Sequence, residues 1–251
     1  MNQKKGTIKK NCHNRGVYEK YIKRLLDIFC AMLAVVCFCW LYIIVAVLVK
    51  VKLGSPVLFI QPRPGMIEPS TGRERIFKMY KFRSMTDARD ENGNLLADEV
   101  RLTAFGKMLR NTSLDELPEV INILKGDMSV VGPRPQLVRD MVFMTEVQRK
   151  RHIVRPGLSG LAQVNGRNDI DWEDKLKWDL KYIKKITFLR DVKIIFQTVM
   201  KAFVKREGIT EGNLATATDY GDYLLNCGRI SRKKYEELQI EAEQIINYEG
   251  I

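Results

Sequence analysis

Apolar and polar positions divide the chain into three stretches of different character. Ile28 to Val49 holds 22 residues without a charge. As a helix rising about 1.5 Å per residue, it is long enough to cross a hydrocarbon core. Beyond a break at Gly54-Ser55-Pro56, residues 57–61 and 75–82 read as strands. The second alternates apolar and polar side chains, and a Pro/Gly-rich loop between the two predicts an irregular hairpin. Residues 84–99 are polar and loop-like, and 102–110 have helical spacing. A further helix opens at Ser113 and presents Leu117, Val120, Ile121 and Leu124 before stopping at Gly126. Gly132-Pro-Arg-Pro135 is a rigid turn, 146–151 is helical, and 155–169 is a loop. Helices follow at 172–185, at 192–204 and from Ser231 to about Tyr248. The 192–204 stretch is apolar with interspersed lysines, the composition of a helix lying in a bilayer interface, although an ordinary amphipathic core helix fits equally well. The expected fold is therefore α+β and mainly helical. It has an N-terminal re-entrant or spanning membrane helix, a small β-hairpin and interfacial amphipathic helices. Four parts are expected: a basic segment (1–24), a membrane-inserted helix (25–53), a soluble domain (54–207) and a C-terminal extension (208–251).

Charge bears on how the apolar helix is held. Residues 1–24 carry eight basic side chains against Glu19, and residues 50–83 carry eight against Glu68 and Glu74. Basic residues stay on the cytoplasmic side, so both ends are expected there, and a re-entrant hairpin satisfies this where one straight span does not. Lys23, Arg24 and Asp27 would anchor the near end, with Asp27 in an ion pair with a neighbouring base. Over the 251 residues, 42 Lys+Arg against 30 Asp+Glu give a net charge of +12, which calls for an anionic partner. With 45% hydrophobic residues the chain is too apolar for intrinsic disorder. Two histidines leave little for zinc or Ser-His-Asp chemistry, and five cysteines without a framework argue for a reducing compartment.

Among several adjacent acidic pairs, only Asp115-Glu116 opens a helix, shortly before an Arg-bearing Pro-Arg-Pro turn. Carboxylates are favoured there. Ser113-x-x-Glu116 also fits a capping box, which needs no chemistry. Anion-binding candidates are Lys81 with Arg83, Arg110, Arg134, Arg155, and Asn165-Gly166-Arg167. Prolines on either side of Arg134 fix the backbone that aims it, and arginine suits bidentate phosphate recognition. A rival signal is Asp169-Ile-Asp171, the D-x-D form of metal-dependent glycosyltransferases that release UDP. A helix N-terminus leading into Trp172 explains it as well. A non-enzymatic, membrane-anchored polyanion binder is the third alternative.

KRLLD (23–27), YKFRSM (80–85), the run from Arg101 to Pro135 and VRPGLSGLAQVNGR (154–167) resemble the bacterial sugar transferases that initiate glycan assembly, the small monotopic phosphoglycosyl transferases. The resemblance covers roughly residues 18–206. It implies transfer of a sugar 1-phosphate from a UDP-sugar to polyprenol (undecaprenyl) phosphate, with release of UMP. Asp115 would be the nucleophile of a ping-pong cycle. Glu116 would act as a base or organise a Mg²⁺ ion together with Asp115. Lys81, Arg83, Arg110, Arg134, Arg155, Asn165, Gly166, Arg167 and Asp179 would hold phosphates and nucleotide. The location implied is the bacterial inner membrane, with residues 54–207 as the catalytic domain on the cytoplasmic face and the interfacial amphipathic helices around a cytosolic active site. The partners are then the donor, the lipid acceptor and the bilayer, with nucleic acid dropped and a homodimer left open. Members of this family carry a Ser-Pro pair midway along the apolar segment; Cys39-Trp40 stands there in this chain.

Overall fold

The computed structural model describes residues 15–166, 171–203 and 218–248. Arg167 and Asp169 lie outside them, as do residues 1–14 of the basic segment and most of the polar linker that opens the C-terminal extension.

A π-helical turn at Tyr18–Ile22 leads into α1, Lys23–Leu53. Neither proline nor glycine interrupts those 31 residues, so every turn keeps its backbone hydrogen bond until Gly54, whose φ of 83° ends the helix. The expected re-entrant turn is therefore not formed at Cys39-Trp40: α1 is one continuous helix. α1 lies along the rest of the molecule. Asp27 near one end and Val45 and Val49 near the other are all buried. At 1.5 Å per residue, that contact runs for about 33 Å. Among the described residues Asp27 is not in the expected ion pair. Its Oδ2 accepts from the Ser129 hydroxyl at 2.8 Å and its Oδ1 from the Val130 N–H at 3.0 Å. Lys23 pairs with Asp191 at 2.6 Å, and Arg24 donates to the Ile123 and Leu124 carbonyls. These three side chains dock the helix onto the domain.

The hairpin forms as expected. β1 (Leu58–Ile67) and β2 (Glu74–Phe82) pair antiparallel, with a register irregularity between Pro64 and Ile67. β1 runs on through Pro62 and Pro64, residues a two-stranded sheet tolerates because one side of the strand faces no partner. Short α2 (Asp98–Arg101) and α3 (Ala104–Asn111) precede a 3₁₀ turn at Leu114–Glu116, and α4 (Glu119–Lys125) ends at Gly126 with φ 94°. Two three-residue strands that sequence periodicity does not reveal, β3 (Ser129–Val131) and β4 (Gly157–Ser159), pair in parallel. Between them lie α5 (Val138–Met141) and α6 (Glu146–Arg149). After β4 come α7 (Leu161–Gly166), α8 (Trp172–Lys184) and α9 (Phe188–Phe203), then α10 (Tyr220–Asn226) and α11 (Arg232–Tyr248).

The inner stripe of α1 is shared between two cores. Ala31 packs with Phe77, Met79, Val120, Ile123 and Met128, while Val45 and Val49 pack with Phe82 and Leu109. Each fully buried aliphatic side chain contributes about 1.5–3 kcal/mol.

A buried polar cluster ties β2 to the segment after α6. Glu74 Oε1 faces His152 Nδ1 at 3.0 Å and accepts from Arg149 Nε at 2.8 Å, while Arg151 Nη1 stands 3.3 Å from His152 Nε2. Burial pushes the imidazole from 6.5 down to about 4. Burial alone would raise Glu74, but His152 and Arg149 outweigh it and hold the carboxyl at about 2. The unfolded chain therefore takes up the imidazole proton first. The His152 contribution is complete above pH 6.5 and drains away as the pH falls toward 4, at a cost of about 3 kcal/mol once fully lost. Chemical denaturation of wild type and His152→Gln across that window should give a shallower slope for the variant. Parallel slopes would remove His152 as the responsible group.

Candidate active site

The acidic pair sits on a sharp corner. Ser113 takes φ 55°, a left-handed conformation costing about 1 kcal/mol for a residue with a Cβ. No side-chain cap forms at Ser113, so the capping-box alternative is not realised. The corner sends the two carboxylates into different surroundings. Glu116 Oε1 accepts from Lys81 Nζ at 2.9 Å and from Arg134 Nη2 at 2.5 Å. Burial opposes its ionisation, but the Arg134 and Lys81 cations prevail and hold it well below the usual carboxylate range. Asp115 is 8% exposed and takes no hydrogen bond or direct ion pair from the described residues. Burial pushes its carboxyl up to about 6, against the attraction of Lys81 and Arg110. Glu119, one helical turn on, receives Lys81 at 3.2 Å, and burial with Glu116 alongside raises it to about 7.

The arginines are aimed by rigid backbone. Gly132 N–H donates to Ser159 O, and Gly157 N–H to Pro133 O. A Cβ on Gly157 would lie 2.0 Å from the Gly132 nitrogen. Only glycine permits that approach, and it presents the Pro133-Arg134-Pro135 turn. Arg151 Nη2 donates to the Arg134 carbonyl at 2.6 Å and also to Asp179 Oδ2 at 2.7 Å. Arg63, flanked by Pro62 and Pro64, donates to the Pro135 carbonyl at 3.1 Å. Arg110 Nε donates to Ser84 Oγ at 2.9 Å.

These groups border a cleft of about 910 Å³. Its polar end is lined by Arg63, Arg134, Asp140, Trp172, Lys175 and Asp179, and its apolar side lies between Ala31, Ala34 and Phe38 of α1 and Ile195 and Val199 of α9. Ser113 and Glu116 line the cleft, while Asp115, between them in sequence, and Lys81 stand just behind the wall. The structure therefore gathers Lys81, Arg110, Asp115, Glu116 and Arg134 at one place, as expected, with Asp179 nearby. Four other expected site residues lie elsewhere in this structure. Arg83 is buried and donates to the Leu53 and Ser55 carbonyls and to Asp87, closing the end of α1. Arg155 donates to the Gly126 carbonyl, away from the cleft. Asn165 is exposed and bonds within its own helix, with Gly166 at that helix's end and neither lining the cleft. Asp171 caps α8 by accepting from the Asp174 N–H at 2.8 Å, the helix-start reading of the D-x-D pattern. Sequence reasoning missed Arg63, Glu119 and Lys175. Signals were present for two of them, since Pro62-Arg63-Pro64 repeats the Pro-Arg-Pro pattern and Glu119 follows Glu116 by three positions, on the same helical face.

A site of clustered carboxylates and arginines, placed against a long apolar helix, matches the class to which the chain belongs: the bacterial sugar transferase family, whose model matches residues 18–205. The protein is an enzyme of that family. Among its relatives, an uncharacterised sugar transferase of Bacillus subtilis (strain 168) is 46% identical over 196 residues, covering 78% of this chain and 94% of that protein. A UDP-N-acetylgalactosamine-undecaprenyl-phosphate N-acetylgalactosaminephosphotransferase of Aeromonas hydrophila is 40% identical, over 71% of this chain and 43% of that protein. The UDP-glucose:undecaprenyl-phosphate glucose-1-phosphate transferase of Escherichia coli (strain K12) is 38% identical, over 74% and 41%. The chain thus spans nearly all of the Bacillus protein and about two fifths of the other two.

Proposed function

We propose that the protein transfers a sugar 1-phosphate from a UDP-sugar to undecaprenyl phosphate, releasing UMP, as an opening membrane step of glycan assembly. The observation carrying this reading is the contrast within the acidic pair: Glu116 is neutralised by two cations, whereas Asp115 is buried beside the cleft with no hydrogen-bond or ion-pair partner among the described residues. An unpaired, desolvated carboxylate is a competent nucleophile. In the first half-reaction an Asp115 oxygen bonds the β-phosphorus, and the bond from that phosphorus to the bridging oxygen breaks, so UMP leaves with that oxygen. In the second, an oxygen of undecaprenyl phosphate bonds the same phosphorus and the Asp115–phosphorus bond breaks, restoring the carboxylate. Glu116, held ionised by Lys81 and Arg134, is a poor base at neutral pH. Its part is to fix the two cations against the donor phosphates.

The donor set also suits Mg²⁺. The described residues contain no cluster of three or more metal-ligating side chains, and magnesium commonly takes one or two carboxylates plus substrate phosphates. Asp115, without a partner among the described residues, and Glu116 would hold it, and the ion would neutralise diphosphate charge. Arg63, Arg134 and Lys175 supply the fixed positive charge at the cleft's polar end. The apolar side between α1 and α9 suits an isoprenoid chain.

The outer stripes fit a bilayer. Leu25, Phe29, Met32, Val36, Trp40, Ile43, Val47 and Val51 of α1 are exposed, as are Leu189, Val192 and Phe196 of α9. Because α1 is packed on the domain along its length, it would lie in the plane of the cytoplasmic leaflet, with both basic flanks at the headgroups. In a variant retaining Cys12 alone, an impermeant thiol reagent should label the protein in inverted vesicles and leave it unlabelled in intact cells. Labelling from the outside would overturn this topology.

The reaction itself is tested with a panel of UDP-sugars in the presence of undecaprenyl phosphate. UMP is the expected nucleotide product; release of UDP would instead indicate direct glycosyl transfer.

A further inference from the structure

The family match ends at residue 205, yet two further helices are built into the domain. The start of this extension is pinned at four points. Trp172 Nε1 donates to the Thr218 carbonyl at 2.8 Å, and the Tyr220 N–H donates to Asp140 Oδ1 at 2.8 Å. Gln148 Nε2 donates to the Tyr220 hydroxyl at 2.9 Å, and Arg139 pairs with Asp219 Oδ2 at 2.7 Å. Close packing reinforces the pins: a Cβ on Gly221 would lie 2.5 Å from the Phe143 ring, and α11 buries Ala242 in a core with Ile76, Val138 and Met141.

As a result Thr218 and Asp219 form part of the wall at the cleft's polar end. Arg63, Arg134 and Lys175 there suit a diphosphate, but a nucleotide sugar also presents hydroxyl groups, which need acceptors. Asp140 is 2% exposed, and each of its oxygens already takes an N–H, from Leu137 and Tyr220, so it is the less available acceptor. Asp179 gives Oδ2 to Arg151, and its Oδ1, although it takes no hydrogen bond from the described residues, is closed off from the surface. Asp219 gives only Oδ2 to Arg139, and its Oδ1 takes no hydrogen bond from the described residues. We infer that residues 218–248 complete the donor site, and that Asp219 accepts a hydrogen bond from a ring hydroxyl of the nucleotide sugar. The extension then acts in donor selection, a task that varies with the sugar while the phosphate chemistry stays constant. This inference rests on the phosphoglycosyl transfer proposed above.

Its test uses the full-length protein in nanodiscs, with UMP release measured for UDP-glucose, UDP-galactose and their N-acetylated counterparts, and with UDP as competitive inhibitor. For Asp219→Asn, kcat/KM for the preferred donor should fall roughly tenfold or more, the loss expected when a buried polar contact to a substrate hydroxyl is weakened. If the hydroxyl belongs to the hexose, the ranking of epimeric donors collapses and inhibition by UDP is unchanged. If it belongs to the ribose, the ranking survives and UDP inhibition weakens by the same factor. Arg139→Gln, which keeps the carboxylate, should retain the wild-type ranking and affinity. Should Asp219→Asn fail to fold, Asp219→Ser, able to cap α10, carries the same comparison. Unchanged kinetics and ranking in the Asp219 variants would overturn the inference, as would an Arg139→Gln variant showing the same defect. A wild-type protein that releases no UMP from any donor would instead defeat the reaction proposed above.

Discussion

Asp115→Asn is expected to reduce UMP release by about four orders of magnitude, the scale seen when a covalent nucleophile is removed from its constellation. The amide has the size of the carboxylate but neither its charge nor its nucleophilic lone pair. No protein partner of Asp115 is lost, because it has none among the described residues, so folding should be unaffected. Incubating the wild type with donor labelled in the sugar and the β-phosphate, without lipid acceptor, should leave label on the protein, whereas Asp115→Asn should retain none. Glu116→Gln separates the two carboxylates. It weakens the hold on Lys81 and Arg134, so turnover should fall while covalent label still accumulates. Full labelling of Asp115→Asn would make another residue the nucleophile.

A second large effect is expected in stability. Arg151 and Asp179 are 1% and 2% exposed and form a two-contact ion pair, with Arg151 Nε at 2.9 Å and Nη2 at 2.7 Å from Asp179 Oδ2. Arg151→Leu strands a buried carboxylate, and such a loss costs about 3–5 kcal/mol. It also releases the Arg134 carbonyl, so the Pro-Arg-Pro turn should lose its aim and activity should fall even where the protein stays folded. Replacing both partners, Arg151→Leu with Asp179→Leu, should recover most of the stability, because no uncompensated charge remains, without restoring activity. Urea denaturation of the three proteins reads the first part and UMP release the second. A single-variant cost below about 1 kcal/mol would show that the pair is solvated, contrary to its burial. Asp179, assigned to nucleotide by resemblance, is thus first of all the counter-ion that holds Arg151, and through it Arg134.

Much of this molecule is written in local pattern. The uninterrupted apolar run makes α1, alternation makes β2, Gly126 stops α4, and Asp171 starts α8, because each depends on side chains within a few positions of one another. The acidic pair and the Pro-flanked Arg134 were legible for the same reason: unusual residues in a short span declare themselves. The β3–β4 pair was not legible. Three residues hold too little periodicity, and their register is set by glycines 25 positions apart meeting backbone to backbone.

Arg155 and Arg134 show where sequence reading reaches its end. Both are arginines beside proline in a glycine-containing loop, yet one donates to the Gly126 carbonyl and the other lines the cleft. Composition and spacing determined that the chain would have a membrane-seeking helix, a basic domain and a pair of carboxylates at a turn. Tertiary structure alone decided that α1 lies along the domain instead of folding back on itself, that Glu116 is neutralised while Asp115 is left unpaired among the described residues, and that the C-terminal extension reaches the cleft. Those outcomes depend on which distant backbone and charged groups meet, and a residue's near neighbours in sequence carry no record of that encounter.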